Sequence, residues 1–255
     1  MSISKLTARI RAANKTGRKA LIPFLPAGFP DKARFWDELA ALDNNGADII
    51  EIGIPFSDPV ADGPVVEQAS LDCLATGVCL SWLLGELSKR RASLQAEIVL
   101  MGYLNPFLQY GVEQLAVDAA AAGVAGLIIP DLPLEEYNML KPALQAQGIE
   151  IIPLVGLNTP LERLKLYAKE PAGFVYFVSV LGTTGVRESL PEEIQAKLAQ
   201  ARAVFSQPIA LGFGIKTPEQ LDQFGDAIDA VVFGSALISH LREGRGAADF
   251  MARWR

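Results

Sequence analysis

A single histidine, His240, stands among 255 residues. One imidazole cannot build a multi-histidine metal site. Its polar surroundings, Ser239-His240-Leu241-Arg242-Glu243, read as a solvated helix end rather than the centre of a triad. Acid–base chemistry therefore falls to carboxylates, lysine or tyrosine. Cysteine is nearly as scarce. Cys73 and Cys79 fit no zinc spacing and are too few for a disulfide framework, so they read as reduced thiols of a cytosolic protein. Long apolar runs are missing too. The longest, Ala119 to Ile129, covers eleven residues, against the ~20 a bilayer requires. The opening Met-Ser-Ile-Ser-Lys-Leu-Thr lacks a signal-peptide core, so the chain reads as soluble and cytoplasmic. Nor is there a basic excess. With 23 basic and 29 acidic residues the net charge is -6, which argues against a nucleic-acid footprint or a polybasic membrane surface but leaves room for a local anion pocket.

What is present is a rhythm. Half the residues are apolar and 20% are charged, an ordinary globular balance that excludes a disordered or fibrous chain. Short β-branched runs start near Ala20 (ALIPF), Asp48 (DIIEI), Ile98 (IVLM), Gly126 (GLIIP), Glu150 (EIIPLV), Phe174 (FVYFV), Pro208 (PIALGF) and Ala230 (AVVF). Near-continuous hydrophobicity of this kind suits parallel strands buried on both faces. Helical patterns lie between them. Phe35, Leu39 and Leu42 recur at i, i+4, i+7, as do Ile194, Leu198 and Ala201. Thr159-Pro160-Leu161-Glu162 and Thr217-Pro218-Glu219-Gln220 read as capping boxes with proline at the first helical position. Eight βα units after a short leading helix around Ile3 to Ala13 predict a single-domain (β/α)8 TIM barrel over residues 1–255. A doubly wound open sheet is the competing architecture, but no dinucleotide fingerprint supports it.

In such a barrel the site lies where strands end and βα loops begin. The seventh run ends Leu211-Gly212-Phe213-Gly214-Ile215, and the eighth ends Val232-Phe233-Gly234-Ser235-Ala236. Glycines there let backbone amides approach an anion, and Ser235 is placed to cap a helix whose N-terminus favours negative charge. Gly182-Thr183-Thr184-Gly185 after the sixth run adds a third such end, and Lys216 stands close in sequence. The alternative is that these are only turn glycines. The second unit is more informative. Glu51 sits inside an apolar strand, on the face of Ala47 and Gly53 and opposite Ile50 and Ile52. A glutamate aimed into a barrel is costly unless it is hydrogen-bonded or near the open mouth, and burial would raise its pKa into the acid–base range. It reads either as that catalyst or as a structural carboxylate held by backbone amides. The following loop is rich in proline, glycine and aspartate, with Asp58 and Asp62 as candidates.

That loop, EIGIPFSDPVADGP at 51–64, closely resembles the signature of the tryptophan synthase alpha subunit family. The resemblance extends through PFLPAGFP (23–30), GYLNPFLQYG (102–111), GLIIPDLPLEE (126–136), GFVYFVSVLGTTG (173–185), GFGIKTPEQ (212–220) and VVFGSA (231–236). It implies retro-aldol cleavage of indole-3-glycerol phosphate to indole and glyceraldehyde 3-phosphate. By motif position Glu51 matches the family's proton-transferring glutamate, and Asp62 matches the aspartate that holds the indole N–H. Tyr176 matches a tyrosine near the glycerol. Gly185, Phe213, Gly214, Gly234 and Ser235 match phosphate positions. Phe24, Tyr103, Ile128, Leu154 and Thr184 match positions around the indole, although core packing alone would also explain Phe24, Ile128 and Leu154. The resemblance further implies no cofactor of this chain's own. Its implied partner is a beta subunit carrying pyridoxal phosphate in an alpha2-beta2 complex, with the loop of Pro55 and Asp58 as lid and contact. The chain departs from the usual pattern at Pro26, Phe29, Gly102, Gly156-Leu157 and Leu181, which bears on loop closure and communication with a partner. Three rivals remain: another barrel enzyme of phosphorylated metabolites, a catalytically silent activator of the beta subunit, and a stand-alone lyase releasing free indole.

Overall fold

The computed structural model describes residues 3–170, 172–179, 192–212, 215 and 217–254. Nine strands form one sheet: β1 (Ala20–Pro26), β2 (Ile49–Gly53), β3 (Glu97–Met101), β4 (Val124–Ile128), β5 (Glu150–Ile151), β6 (Leu154–Gly156), β7 (Val175–Val178), β8 (Ile209–Gly212) and β9 (Ala230–Phe233). Every pairing is parallel, in the order β5-β4-β3-β2-β1-β9-β8-β7-β6. The two ends of that order are consecutive in the chain. The fifth apolar run breaks at Ile152-Pro153, where proline has no N–H to give a ladder. On one side of the break the Ile152 amide donates to Leu127 O at 2.8 Å; on the other, Pro153 O accepts from the Tyr176 amide at 2.9 Å. One run thus belongs to both edges and closes the sheet. The eight expected runs are the eight staves of a (β/α)8 barrel, the fifth counted as two strands.

Strand alternation divides the apolar residues into two layers. Ile22, Ile49, Val99, Ile128, Ile152, Phe174, Tyr176, Ala210 and Val232 fill the inside. Leu25, Ile50, Ile52, Leu100, Leu127, Phe177, Leu211 and Val231 face the surrounding helices. Phe35, Leu39 and Leu42 of helix Arg34–Asn44 are buried in that outer layer, as are Ile194, Leu198 and Ala201 of Glu192–Val204.

The leading helix runs Lys5–Lys15, two residues later than expected. Its Leu6, Ile10 and Ala13 join the inner layer. Every anchor it makes lies just at or before the start of a strand. Ser4 Oγ donates to Glu150 at 2.5 Å, Thr7 Oγ1 to Gly173 O at 2.6 Å, and Asn14 Nδ2 to Asp229 O at 2.8 Å. Arg9 stands 3.6 Å from Asp48. The helix plugs the amino-terminal end of the barrel, and full burial of Leu6 and Ile10 contributes about 1.5–3 kcal/mol each. The end left unplugged is therefore the one at the carboxyl ends of the strands.

Three local expectations need correction. Thr159 caps no helix; its Oγ1 accepts the Gly156 amide at 2.9 Å, and the helix Leu161–Tyr167 begins after Pro160. The Thr217 box is formed, but on a 3-10 segment, Pro218–Ala227, kinked at Gly225. His240 is not solvated. It lies on the buried face of helix Ser235–Arg242, with Nε2 3.1 Å from Gly246 O and the ring edge-on to Phe250 at 5.4 Å. The returning segment Ala247–Met251 covers it, and that contact leaves no trace in the polar residues around the histidine.

Candidate active site

Four carboxylates are buried among the described residues, and three are tied down. Asp48 takes both arms of Arg18 and the Leu21 amide. Asp43 accepts the amides of Gln95 and Ala96. Glu38 holds Arg34 and the Ala247 amide. Glu51 is the exception. It points inward from β2, 2% exposed, and its Oε2 has no hydrogen-bond partner among the described residues. A structural carboxylate would have looked like the other three. Burial first, and then the charge of Asp62, push the Glu51 pKa up to about 8.

Asp62 comes from the loop between β2 and the helix Pro64–Ala75. It is half-buried, and its pKa is raised to about 6 by burial; a hydrogen bond from Tyr103 pulls the other way, and the charge of Glu67 adds to the rise. Tyr103 is what shapes this loop. Its hydroxyl accepts the Ala61 amide at 3.0 Å and shares a hydrogen bond with Asp62, while its ring stacks on Phe56 at 5.3 Å. One side chain, 2% exposed, thus grips the loop at both ends. Burial and the Asp62 charge push the phenol far up, so Tyr103 stays neutral and able to donate.

Tyr176, on β7, completes the group. It is 7% exposed, and its phenol is pushed well up by burial, then by Glu51, then by Asp62. Both carboxylates therefore act on one hydroxyl. Leu154 is the Cα partner of Tyr176, and Phe24 that of Glu51. Ile128 ends β4 inside the barrel. The structure so brings Glu51, Asp62, Tyr103, Tyr176, Phe24, Leu154 and Ile128 to one end of the barrel. Thr184, Gly185, Phe213 and Gly214, with Gly182, Thr183, Leu181 and Lys216, lie outside the described residues.

Of the phosphate positions, Gly234 and Ser235 are described. The helix Ser235–Arg242 starts directly after β9, so its free amides face the open end. Its N-cap is Gly234, not Ser235, which is exposed at the first helical position and makes no capping bond. The glycines also serve a purpose other than the expected approach of backbone to anion. A Cβ on Gly212 would lie 2.2 Å from a ring carbon of Tyr176, and one on Gly234 would lie 2.9 Å from Cδ1 of Phe24. The missing methyl groups are spaces filled by aromatic rings. Sequence reading missed Gly53, Phe56 and the Ala61 amide as parts of the site; the one available signal was that Gly53 shares the face of Glu51.

Packing accounts for the departures at Gly102, Phe29 and Leu157, and nothing in the packing calls for glycine at 156. A Cβ on Gly102 would meet Phe107 at 2.9 Å and Ile54 at 3.0 Å, so a larger residue beside Tyr103 would require those side chains to shift. Phe29 is buried under the Arg242 guanidinium, 5.4 Å from its ring. Pro26 closes β1 and is buried. Gly156 leaves ordinary space around it, and Leu157 packs on the outer layer.

Comparison with known proteins agrees in sequence and in shape. A family model described as tryptophan synthase alpha chain matches residues 10–253. The tryptophan synthase alpha chain of Solidesulfovibrio magneticus is 68% identical over 255 residues, all of both chains. That of Maridesulfovibrio salexigens is 56% identical over the same full length. Among solved structures, tryptophan synthase of Mycobacterium tuberculosis superposes with a TM-score of 0.89 at 34% identity, covering 99% of this chain and 96% of that one. The alpha chain from Legionella pneumophila gives 0.87 at 31%, covering 99% and 95%.

Proposed function

The chain belongs to the tryptophan synthase alpha chain family, and from that premise we propose how its own residues carry the family's reaction. The activity is retro-aldol cleavage of indole-3-glycerol phosphate to indole and glyceraldehyde 3-phosphate, a lyase step of tryptophan biosynthesis. With a pKa near 8, Glu51 holds a proton at neutral pH; with one near 6, Asp62 does not. Two carboxyls with values pushed apart divide the work. Glu51 gives its proton to indole C3, and positive charge develops on the ring nitrogen. Asp62 accepts the N–H and stabilises that charge. The Glu51 carboxylate then takes the proton of the hydroxyl on the carbon attached to the ring. The C–C bond breaks, its electrons return to the ring, and the aldehyde forms. Glu51 ends as it began, and no oxidant or metal enters the balance.

Tyr176 donates to the glycerol as a neutral phenol. Phe24, Tyr103, Ile128, Leu154 and Thr184 form the apolar walls and rim around indole. Gly234 and Ser235, at the N-terminus of the last long helix, hold the phosphate together with Gly185, Phe213 and Gly214. The observation that carries this reading is that, among the described residues, Glu51 alone of the buried carboxylates has an unpartnered oxygen, and it is set against Asp62. It is tested by indole release across pH. kcat/KM should rise as Asp62 ionises near 6 and fall as Glu51 loses its proton near 8, the two limbs belonging to the coupled pair. A profile flat from pH 5 to 9 would overturn the division of roles.

The reading extends to a partner. A beta subunit carrying pyridoxal phosphate would receive the indole in an alpha2-beta2 complex in the cytoplasm, this chain bringing no cofactor. Support comes from the loop beside Asp62, where Ser57 and Asp58 are exposed and Val60 is 86% exposed. Among the described residues no single helix is long and apolar enough to cross a membrane. Replacing Asp58 by alanine is expected to blunt activation by added beta subunit while leaving most of the isolated activity. A wild-type chain already fully active alone, unmoved by its native beta subunit, would favour a stand-alone lyase. No cleavage under any condition would favour a silent activator.

A further inference from the structure

We infer that Gly53 and Gly234 are positioning residues, forming a slot that stands the ring of Phe24 upright beside Glu51; the claim rests on the reaction proposed above. Glycine inside a strand weakens it and calls for a reason. Gly53 ends β2, and its backbone does not need glycine's conformational freedom. Nor does that of Gly234, with φ −132°. Space is a reason both share, beside the phosphate role of Gly234, and both glycines yield it to one side chain. A Cβ on Gly53 would lie 2.5 Å from Cζ and 2.8 Å from Cε2 of Phe24, the tip of the ring. One on Gly234 would lie 2.9 Å from Cδ1, 3.1 Å from Cβ and 3.3 Å from Cγ, the base. Because β2 and β9 flank β1 on opposite sides, the ring is fixed from both. Phe24 is also the Cα partner of Glu51, so a displaced ring intrudes where the substrate's bicyclic ring must meet the acid.

The slot makes an asymmetric forecast. Leucine lacks Cζ and Cε2 but keeps Cβ, Cγ and a Cδ1. Phe24→Leu should therefore rescue Gly53→Ala and fail to rescue Gly234→Ala. Gly53→Ala and Gly234→Ala should each lower kcat/KM for indole-3-glycerol phosphate, chiefly through KM, by up to about 10²-fold, the cost of a misplaced wall. The Gly53→Ala/Phe24→Leu double should return to within a few-fold of Phe24→Leu alone, and the Gly234→Ala/Phe24→Leu double should remain the product of its singles. Thermal melting of the same five proteins should show the same pattern of coupling whether or not the reaction is as proposed. An unimpaired Gly53→Ala, or a leucine that rescues both alanines or neither, overturns the slot. A wild-type chain without lyase activity overturns the function instead, and the melting cycle still decides the slot.

Discussion

Glu51→Gln is expected to lower kcat for indole release by about 10³–10⁴-fold, the upper end for one acid–base group, because the same carboxyl serves two proton transfers. The amide keeps the shape and cannot donate or accept the proton in question. The loss should come with a gain in stability that depends on pH. Burial raises the Glu51 pKa from 4.5 to about 8, so the native state holds the proton longer than the unfolded chain does. The stabilisation this gives is full below about pH 4.5 and disappears as the pH rises towards 8. Each unit is worth about 1.4 kcal/mol, so the glutamine protein should outlast the wild type by a few kcal/mol at pH 8 and match it near pH 4.5. Melting curves at the two pH values, beside steady-state assays, provide the check. Turnover within a few-fold of wild type, or equal melting at pH 8, would remove Glu51 from its role.

Asp62→Asn is the second large effect. The asparagine oxygen can still accept from Tyr103, so the loop keeps its anchor through the ring and the Ala61 amide. What goes is the negative charge facing the indole nitrogen as it becomes cationic, and loss of one such group costs about 10²–10³-fold in kcat. Both the isolated chain and its complex with a beta subunit should suffer, unlike Asp58→Ala. The pH profile should change in two ways. The acidic limb near 6 should vanish with the group that titrates there. The alkaline limb should shift to lower pH, because the Asp62 charge is the second cause holding Glu51 up, after burial. An alkaline limb that stays in place would show that the two carboxylates do not act on each other.

Much of this was legible in the residues. Alternation about Glu51 places it on the inner face, and the eight apolar runs predict the staves, because a strand covered on both sides has to be apolar throughout. Other features depend on which distant residue fills a space, which a local pattern does not carry. Gly212 and Gly234 suggested backbone approaching an anion, yet their missing Cβ atoms make room for Tyr176 and Phe24, each on another strand. Tyr103 suggested a wall of the pocket, and its grip on Phe56 and Ala61 appears only once the loop folds back on β3's end. His240 reads as solvated because the residues that bury it, Gly246 and Phe250, come later in the chain. Thr159 has a capping partner in sequence but accepts the Gly156 amide instead.

The helix that plugs the barrel has a consequence for biosynthesis. Its anchors are spread over the whole chain: 146 residues separate Ser4 from Glu150, 166 separate Thr7 from Gly173, and 215 separate Asn14 from Asp229. A ribosome releases the helix long before it releases Asp229, at roughly 5–20 residues per second. Until then the floor it seats in is incomplete, because the staves that follow Gly173 and Asp229 have not both emerged. Through much of its synthesis the nascent chain carries an amphipathic helix whose apolar face is only partly covered, an exposed stripe of the kind chaperones hold. Ring closure and seating of the plug then become one late event, after the final strand has emerged.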